Sequence, residues 1–245
     1  MGSAGAKPVN IYPRCIGCKS RVPARSFLME ETLRSAKAKK SSVKTLQIVQ
    51  LGVLIAIMAV LEFTGIGIIP LGFGVEITIM MIPVIIGGVV LGKWGGAVLG
   101  GVFGLLSFWE CFGKSAFGTF LFGLNPVYTF IICVVARVLA GFFAGLAFEG
   151  FRKVDKTKLW SYGAAALVGS LANTILFVGL LVLLFWGGEE FTATMSEWGM
   201  PVGSFWAYAG AIVGVNGVIE AVFNTIVGSA IGKAVAAVTQ LINKD

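Results

Sequence analysis

EITIMMIPVIIGGVVLGKWGGAVLGGVFGLLSFW, residues 76–109, is the stretch whose reading decides the fold. It is two apolar runs joined at Lys93 and Trp94, with glycines at 88, 92, 96, 100 and 104. A spacing of four puts small residues on one face of a helix, where a neighbouring backbone can come close. In water each such glycine would cost a helix about 1 kcal/mol. In lipid every backbone group must be bonded within its own segment, so helices still form and glycine serves packing. The stretch therefore predicts helices whose solvent is a bilayer.

The rest of the chain agrees. Of 245 residues, 57% are hydrophobic and only 13% charged, and the mean hydropathy is +0.90. A soluble domain carries about 25% charge. The 34 glycines and 19 phenylalanines stand against no histidine at all, which removes the commonest general base and metal ligand. The net charge of +7 is no footprint of nucleic-acid binding, because the Lys and Arg gather in the first 45 residues and in Arg152–Lys158, as flanks of membrane segments do.

Residues 1–43 are polar, basic and rich in Gly, Pro, Ser and Lys, and are expected to form a disordered cytoplasmic arm. The arm lacks the early apolar core of a cleavable signal peptide. It contains Cys15-Ile-Gly-Cys18, but no second Cys pair and no His in a soluble part to complete four metal ligands. Six apolar segments follow, over about 44–63, 76–91, 95–109, 125–148, 159–186 and 204–238. A span needs about 20 residues at 1.5 Å each, so the second and third are slightly short and the last two should tilt or protrude. The expected domains are the arm, a six-helix membrane domain over 44–240 and a tail over 241–245. Lys37, Lys39, Lys40 and Lys44 precede the first segment, and Arg152, Lys153, Lys156 and Lys158 lie between the fourth and fifth. The alternate loops are basic-poor, and the one between the fifth and sixth segments carries Glu189, Glu190 and Glu197. This pattern predicts both termini on the cytoplasmic side. The outer loops, TGIGIIPLGFG (64–74) and ECFGKSAFGTFLFGLN (110–125) among them, could cover a pocket or lie on lipid.

The candidate functional residues are polar groups stranded in apolar sequence. Arg137 falls halfway along the fourth segment, where a charge costs about 2.5–3.5 kcal/mol to insert, so it should face the bundle interior. It could meet a ligand carboxylate or pair with Glu220. Asn216, Glu220 and Asn224 are spaced by four on one face of the last segment. Asn173 and Thr174 add polar groups to the fifth, and Asn125 stands before Pro126 at the start of the fourth. Each could merely tie helices together, at about 0.6 kcal/mol. Together they favour a polar pocket made by Asn125, Arg137, Asn216 and Glu220, with Trp109 as a stacking surface. Two near matches to a phosphate loop fail. GGVVLGK (87–93) is followed by Trp94 where Ser or Thr should hold Mg²⁺, and Gly113-Lys114-Ser115 has Phe108 in place of the earlier glycine. Neither suits an ATPase, and no Gly-x-Ser-x-Gly or His-Glu-x-x-His supports a hydrolase.

Four stretches in this order, EITIMMIPVIIGGVVLGKWGGAVLGGVFGLLS (76–107), ARVLAGFFAGL (136–146), GSLANT (169–174) and NGVIEAVFNTIVGSAIGKAV (216–235), resemble the substrate-binding S components of energy-coupling factor (ECF) vitamin importers. The resemblance covers about residues 44–240. It implies an all-α integral protein of the bacterial cell membrane, a six-helix bundle that binds a vitamin near its outer face. It further implies association with a membrane coupling subunit and two ATPases, toppling to release substrate inside, and no catalysis or cofactor of its own. Small residues on the family's first helix meet the coupling subunit, often as Ala-x-x-x-Ala; here Gly52 and Ala56 stand at that spacing, with Gly as a departure. IPVIIG (82–87) and its surroundings look most like pantothenate-type members, while folate, riboflavin and cobalamin remain alternatives. A rival reading is a stand-alone, proton-coupled secondary transporter using Glu220, which the lack of a clear inverted repeat disfavours. A membrane enzyme would need a nucleophile and base that the segments do not offer.

Overall fold

The structure is a computed structural model and describes residues 45–65, 67–72, 75–154, 159–197, 199, 204, 210 and 217–242. The chain divides at Leu46/Gln47 into two units, and the helices and hairpin belong to the unit Gln47–Asp245, apart from the first two residues of the first helix. The arm, with Cys15 and Cys18, and the residues 243–245 lie outside the described residues.

Helices dominate. The first, α1, is Thr45–Thr64, apolar and long enough to cross a membrane. Only Met58 and Glu62 on it are buried, one turn apart, so a single narrow edge meets the bundle. Its other faces expose Ile48, Val49, Val53, Ile57 and Val60, a surface suited to lipid or to another membrane protein. Gly65, at φ +72°, ends the helix in a left-handed turn that a side chain would disfavour.

The next residues correct the expectation of a helix beginning at Glu76. A strand β1, Ile68–Gly72, pairs antiparallel with β2, Val75–Thr78, matching Ile68 to Thr78 and Ile69 to Ile77. The hairpin is clasped to the end of α1 by Gly67 N–H donating to Leu61 O at 3.0 Å and Ile79 N–H donating to Gly67 O at 2.9 Å. The physical reason is that Val75-Glu76-Ile77-Thr78 is a β-branched, alternating run, and a short apolar run does not separate strand from buried helix by periodicity. Helix α2 then runs Met81–Val90, with Pro83 in its first turn, where no helical N–H is lost. Nine of its ten residues are buried, so it is the central element. At 1.5 Å per residue its ten residues reach only about 15 Å, half a hydrocarbon core.

Gly92, at φ +79°, turns the chain into α3, Gly92–Glu110. Ser115 caps α4, Ala116–Leu124, by accepting from Gly118 N–H. Asn125 caps α5, Pro126–Phe151, which has proline at its first position. Helix α6 is Leu159–Phe185 and α7 is Glu189–Glu197, with two acids in its first turn. Helix α8 is Val218–Ile242. The expected loops at 110–125 and after Trp186 thus hold the short helices α4 and α7. Of the last segment, 204–217 contributes only Ser204, Gly210 and Gly217 to the described residues.

The glycine register works as expected at four of its five positions. A Cβ on Gly96 would stand 2.3 Å from Gly141 O, one on Gly100 2.1 Å from Arg137 O, and one on Gly104 2.7 Å from Val134 Cα. Gly88 meets Gly145 in the same way, at 3.0 Å. Helices α2 and α3 therefore press backbone to backbone on α5. Gly92 serves the turn instead.

Two apolar clusters result. One gathers Met81, Val84, Ile85, Leu99, Phe103 and Ala144 around α2. The other gathers Leu121, Ile132, Leu181, Phe185, Phe191 and Met195 at the end of the bundle that carries α4 and α7.

Candidate functional site

The seam between those clusters is polar. Arg137 on α5 extends its guanidinium beside Phe103 of the first cluster, 5.1 Å from the ring centroid, and Phe177 of α6, 5.0 Å from its centroid. Phe177 itself packs on the second cluster. One guanidinium N–H, on Nη1, donates to the backbone carbonyl of Cys133 one turn earlier, at 3.3 Å. The Nε–H is buried with no acceptor among the described residues.

Facing this side chain are polar groups of α6 and α8. These helices run antiparallel: a Cβ on Gly217 would stand 2.9 Å from Thr174 Cγ2, and one on Gly228 3.4 Å from Ala166 Cβ. Glu220 and Asn224, between those points on α8, thus lie level with Ser170 and Asn173 on α6. Asn224 and Ser170 are fully buried, and Glu220 and Asn173 are each 9% exposed. Ser170 Oγ, Asn173 Oδ1, Glu220 Oε1 and both polar side-chain atoms of Asn224 have no hydrogen-bond partner among the described residues. With Arg137 Nε these make six orphaned polar atoms in one seam. A buried polar group left unpaired costs about 1–3 kcal/mol, and native proteins leave few. Thr174 is not among them, because its hydroxyl donates to Ser170 O at 3.2 Å.

Arg137 lies within electrostatic reach of Glu220, yet among the described residues the two form no ion pair. Among the described residues the ion pairs are Lys93–Glu149 at 3.3 Å and Lys114–Glu62 at 3.1 Å. The first joins the start of α3 to the end of α5. The second joins the end of α1 to the turn after α3. The site therefore offers one cationic edge opposite a carboxylate and amides. It can hold a polar solute with a negative end and hydrogen-bonding groups elsewhere, and it presents no paired nucleophile and base.

The sequence-derived candidates separate on this geometry. Arg137 and Glu220 come together. Asn216 lies outside the described residues. Asn125 spends its side-chain oxygen on the N–H groups of Val127 and Tyr128, at 3.0 and 3.2 Å. Twelve residues before Arg137 on one helix axis, it is about 18 Å away. It lines instead an open groove of about 470 Å³ with Tyr128, Phe185, Glu189 and Phe191. Trp109 is 58% exposed, its ring 6.0 Å from Phe112. Gly52 and Ala56 lie exposed on α1, and a Cβ on Gly52 would meet nothing within 4 Å. Among the described residues no three acidic, Cys or His groups converge as metal ligands. Sequence reasoning missed Ser170, which the four-residue step back from Thr174 could have signalled. It also missed Phe103 and Phe177, for which an apolar helix gives no signal.

Comparison with known proteins bears on what such a seam holds. The family model of the ECF transporter substrate-specific component matches residues 46–232, the segment that contains every residue of the site. The pantothenate transporter PanT of Leuconostoc mesenteroides is 30% identical over 179 residues, 71% of this chain and 83% of that protein. The pantothenic acid transporter PanT of Lactococcus lactis subsp. cremoris is 31% identical over 191 residues, 74% of this chain and 89% of that protein. With its apolar helices, the chain is a multi-pass protein of the bacterial cell membrane. The stranded arginine, the orphaned amides of α6 and α8 and the glycine-packed helices around them lie within a chain that belongs to the substrate-specific components of ECF transporters.

Proposed function

We propose that this chain captures pantothenate from outside the cell for an ATP-driven importer, working with an ECF coupling subunit and two ATPase subunits. The observation that carries the reading is the set of orphaned polar atoms around Arg137 in an otherwise apolar bundle. Pantothenate carries a carboxylate, an amide and two hydroxyls, which match a guanidinium edge, amide groups and a carboxylate acceptor. The names of the two relatives support that cargo over folate, riboflavin or cobalamin. In this reading the chain spans the bilayer six times with both termini inside. The hairpin, α4 and α7 lie at the outer end, and α2 with its hairpin makes one shallow span. Gly52 and Ala56, exposed on the least buried long helix, form the face offered to the coupling subunit.

Native mass spectrometry of the detergent-purified chain, offered a panel of vitamins, tests the cargo. The expected result is one retained pantothenate per chain. A folded sample that retains a different vitamin, or none, overturns it. Uptake that stops with a protonophore while ATP is held constant would instead favour a stand-alone proton-coupled carrier.

A further inference from the structure

A guanidinium has five N–H donors in a flat fork, and which edge it offers a ligand depends on what holds the rest. Three contacts hold Arg137. The Cys133 carbonyl takes a hydrogen from Nη1. Phe103 and Phe177 place their rings at 5.1 and 5.0 Å, holding the cation without taking up an N–H as an acceptor atom would. What is left buried and unbonded is Nε–H. The reach of Phe103 is itself a product of the glycine register. Gly100 lies against Arg137 O and Gly104 against Cys133 O, so α3 runs close along this part of α5, and Phe103 projects between the two glycines. Phe177 comes from α6, a separate element packed on the same helix.

We infer that Phe103 and Phe177 are positioning residues that fix the Arg137 guanidinium with its Nε edge turned to a carboxylate, and that they thereby set the preference of the pocket for an acid over the corresponding alcohol. This rests on the proposed ligand pocket but not on which vitamin fills it. An arginine free to swing would attract any anion and lose rotamer entropy on each binding. One held by two rings has met that cost beforehand and offers its fork in a fixed plane. A neutral alcohol can take at most a single, uncharged hydrogen bond from that edge, so its affinity should depend little on the rings.

The test is calorimetric binding of three acid and alcohol pairs to the full purified chain: pantothenate and panthenol, biotin and biotinol, nicotinate and nicotinyl alcohol. The wild type is expected to favour one acid over its alcohol. Phe103→Leu and Phe177→Leu should each lower that ratio about fivefold to tenfold, from the scale of a desolvated cation–π contact, and leave the alcohol's affinity within about twofold. Phe177→Tyr, which keeps the ring, should restore the ratio. Equal losses for acid and alcohol would assign the rings to packing alone and overturn the inference, as would an unchanged ratio. A wild type favouring an acid other than pantothenate would sink the pantothenate reading and leave this one standing; one favouring no acid would overturn this one. A second readout needs no substitution. Phenylglyoxal labelling of Arg137, followed by peptide mass spectrometry, should be blocked by the favoured acid and not by its alcohol, and equal protection by both would overturn the fixed-edge assignment.

Discussion

A charge or an amide inside an apolar helix is costly enough that its position alone raises the question of what it faces. Arg137, Glu220 and Asn224 announce themselves in this way, whereas Phe103 and Phe177 look like any aromatic in a lipid-soluble run. The structure also separates residue types that sequence treats alike. Asn125 is a helix cap, and Asn224 is an orphan. Replacing Arg137 by Ala should weaken binding of the anionic vitamin about tenfold to a hundredfold, the scale of a charge-assisted hydrogen bond, with the protein still folded in the membrane. Isothermal titration on the purified variant measures it, and unchanged affinity would take Arg137 out of the pocket. Asn224→Leu should move stability and binding in opposite directions. The leucine keeps the branched shape, with bulkier methyl ends, and removes two buried polar atoms that have no partner among the described residues, so the ligand-free protein should gain up to about 1–3 kcal/mol. The vitamin should bind more weakly to it. A thermal-shift series with and without ligand separates the two effects. A variant that is less stable even when empty would mean that Asn224 already bonds a group of the protein.

Among the elements, α3, α5 and α6 followed from hydropathy and from the four-residue glycine register, while the hairpin β1–β2 and the short helices α4 and α7 did not. The reason is physical. A glycine register forecasts close helix approach because lipid offers no other use for it, but Val75–Thr78 is only four residues long and runs into the apolar Met81–Val90, and only the pairing of β1 with β2 separates strand from helix there. Likewise Ser115 is a good cap, yet a cap signals a helix only when an amphipathic run follows, and 116–124 is nearly all apolar. The closeness of α3 and α5 can be tested with two neighbouring glycines. On Gly100 a Cβ would collide with Arg137 O at 2.1 Å, while on Gly101 it would meet only Val138 Cγ2, at 3.5 Å. Gly100→Ala should therefore force the helices apart, at a cost of about 1–3 kcal/mol or more, and disturb the Arg137 edge as well. Gly101→Ala should be neutral or slightly stabilising, since alanine is the better helix former. Equal thermal stability of the two variants in detergent would show that α3 does not press on α5 as described.

For the whole molecule, capture and transport should be separable because the residues proposed for each lie on different surfaces. The polar seam is internal to α5, α6 and α8. The apolar face of α1, with Gly52 and Ala56, is external and makes no close contact that a larger side chain would break. A small-residue face on an exposed membrane helix permits close approach by another helix, and a large side chain there prevents it. Gly52→Leu and Ala56→Leu should accordingly leave vitamin affinity of the isolated chain within about twofold, because nothing in the bundle has to move. Both should sharply reduce uptake by cells that supply the coupling subunit and ATPases, and reduce co-purification with them. Radiolabelled uptake, pull-down and calorimetry on the same variants make the comparison. If binding falls together with uptake, α1 belongs to the pocket. If neither falls, the coupling subunit approaches another face, and the exposed row of Ile48, Val53, Ile57 and Val60 on α1 is then left to lipid.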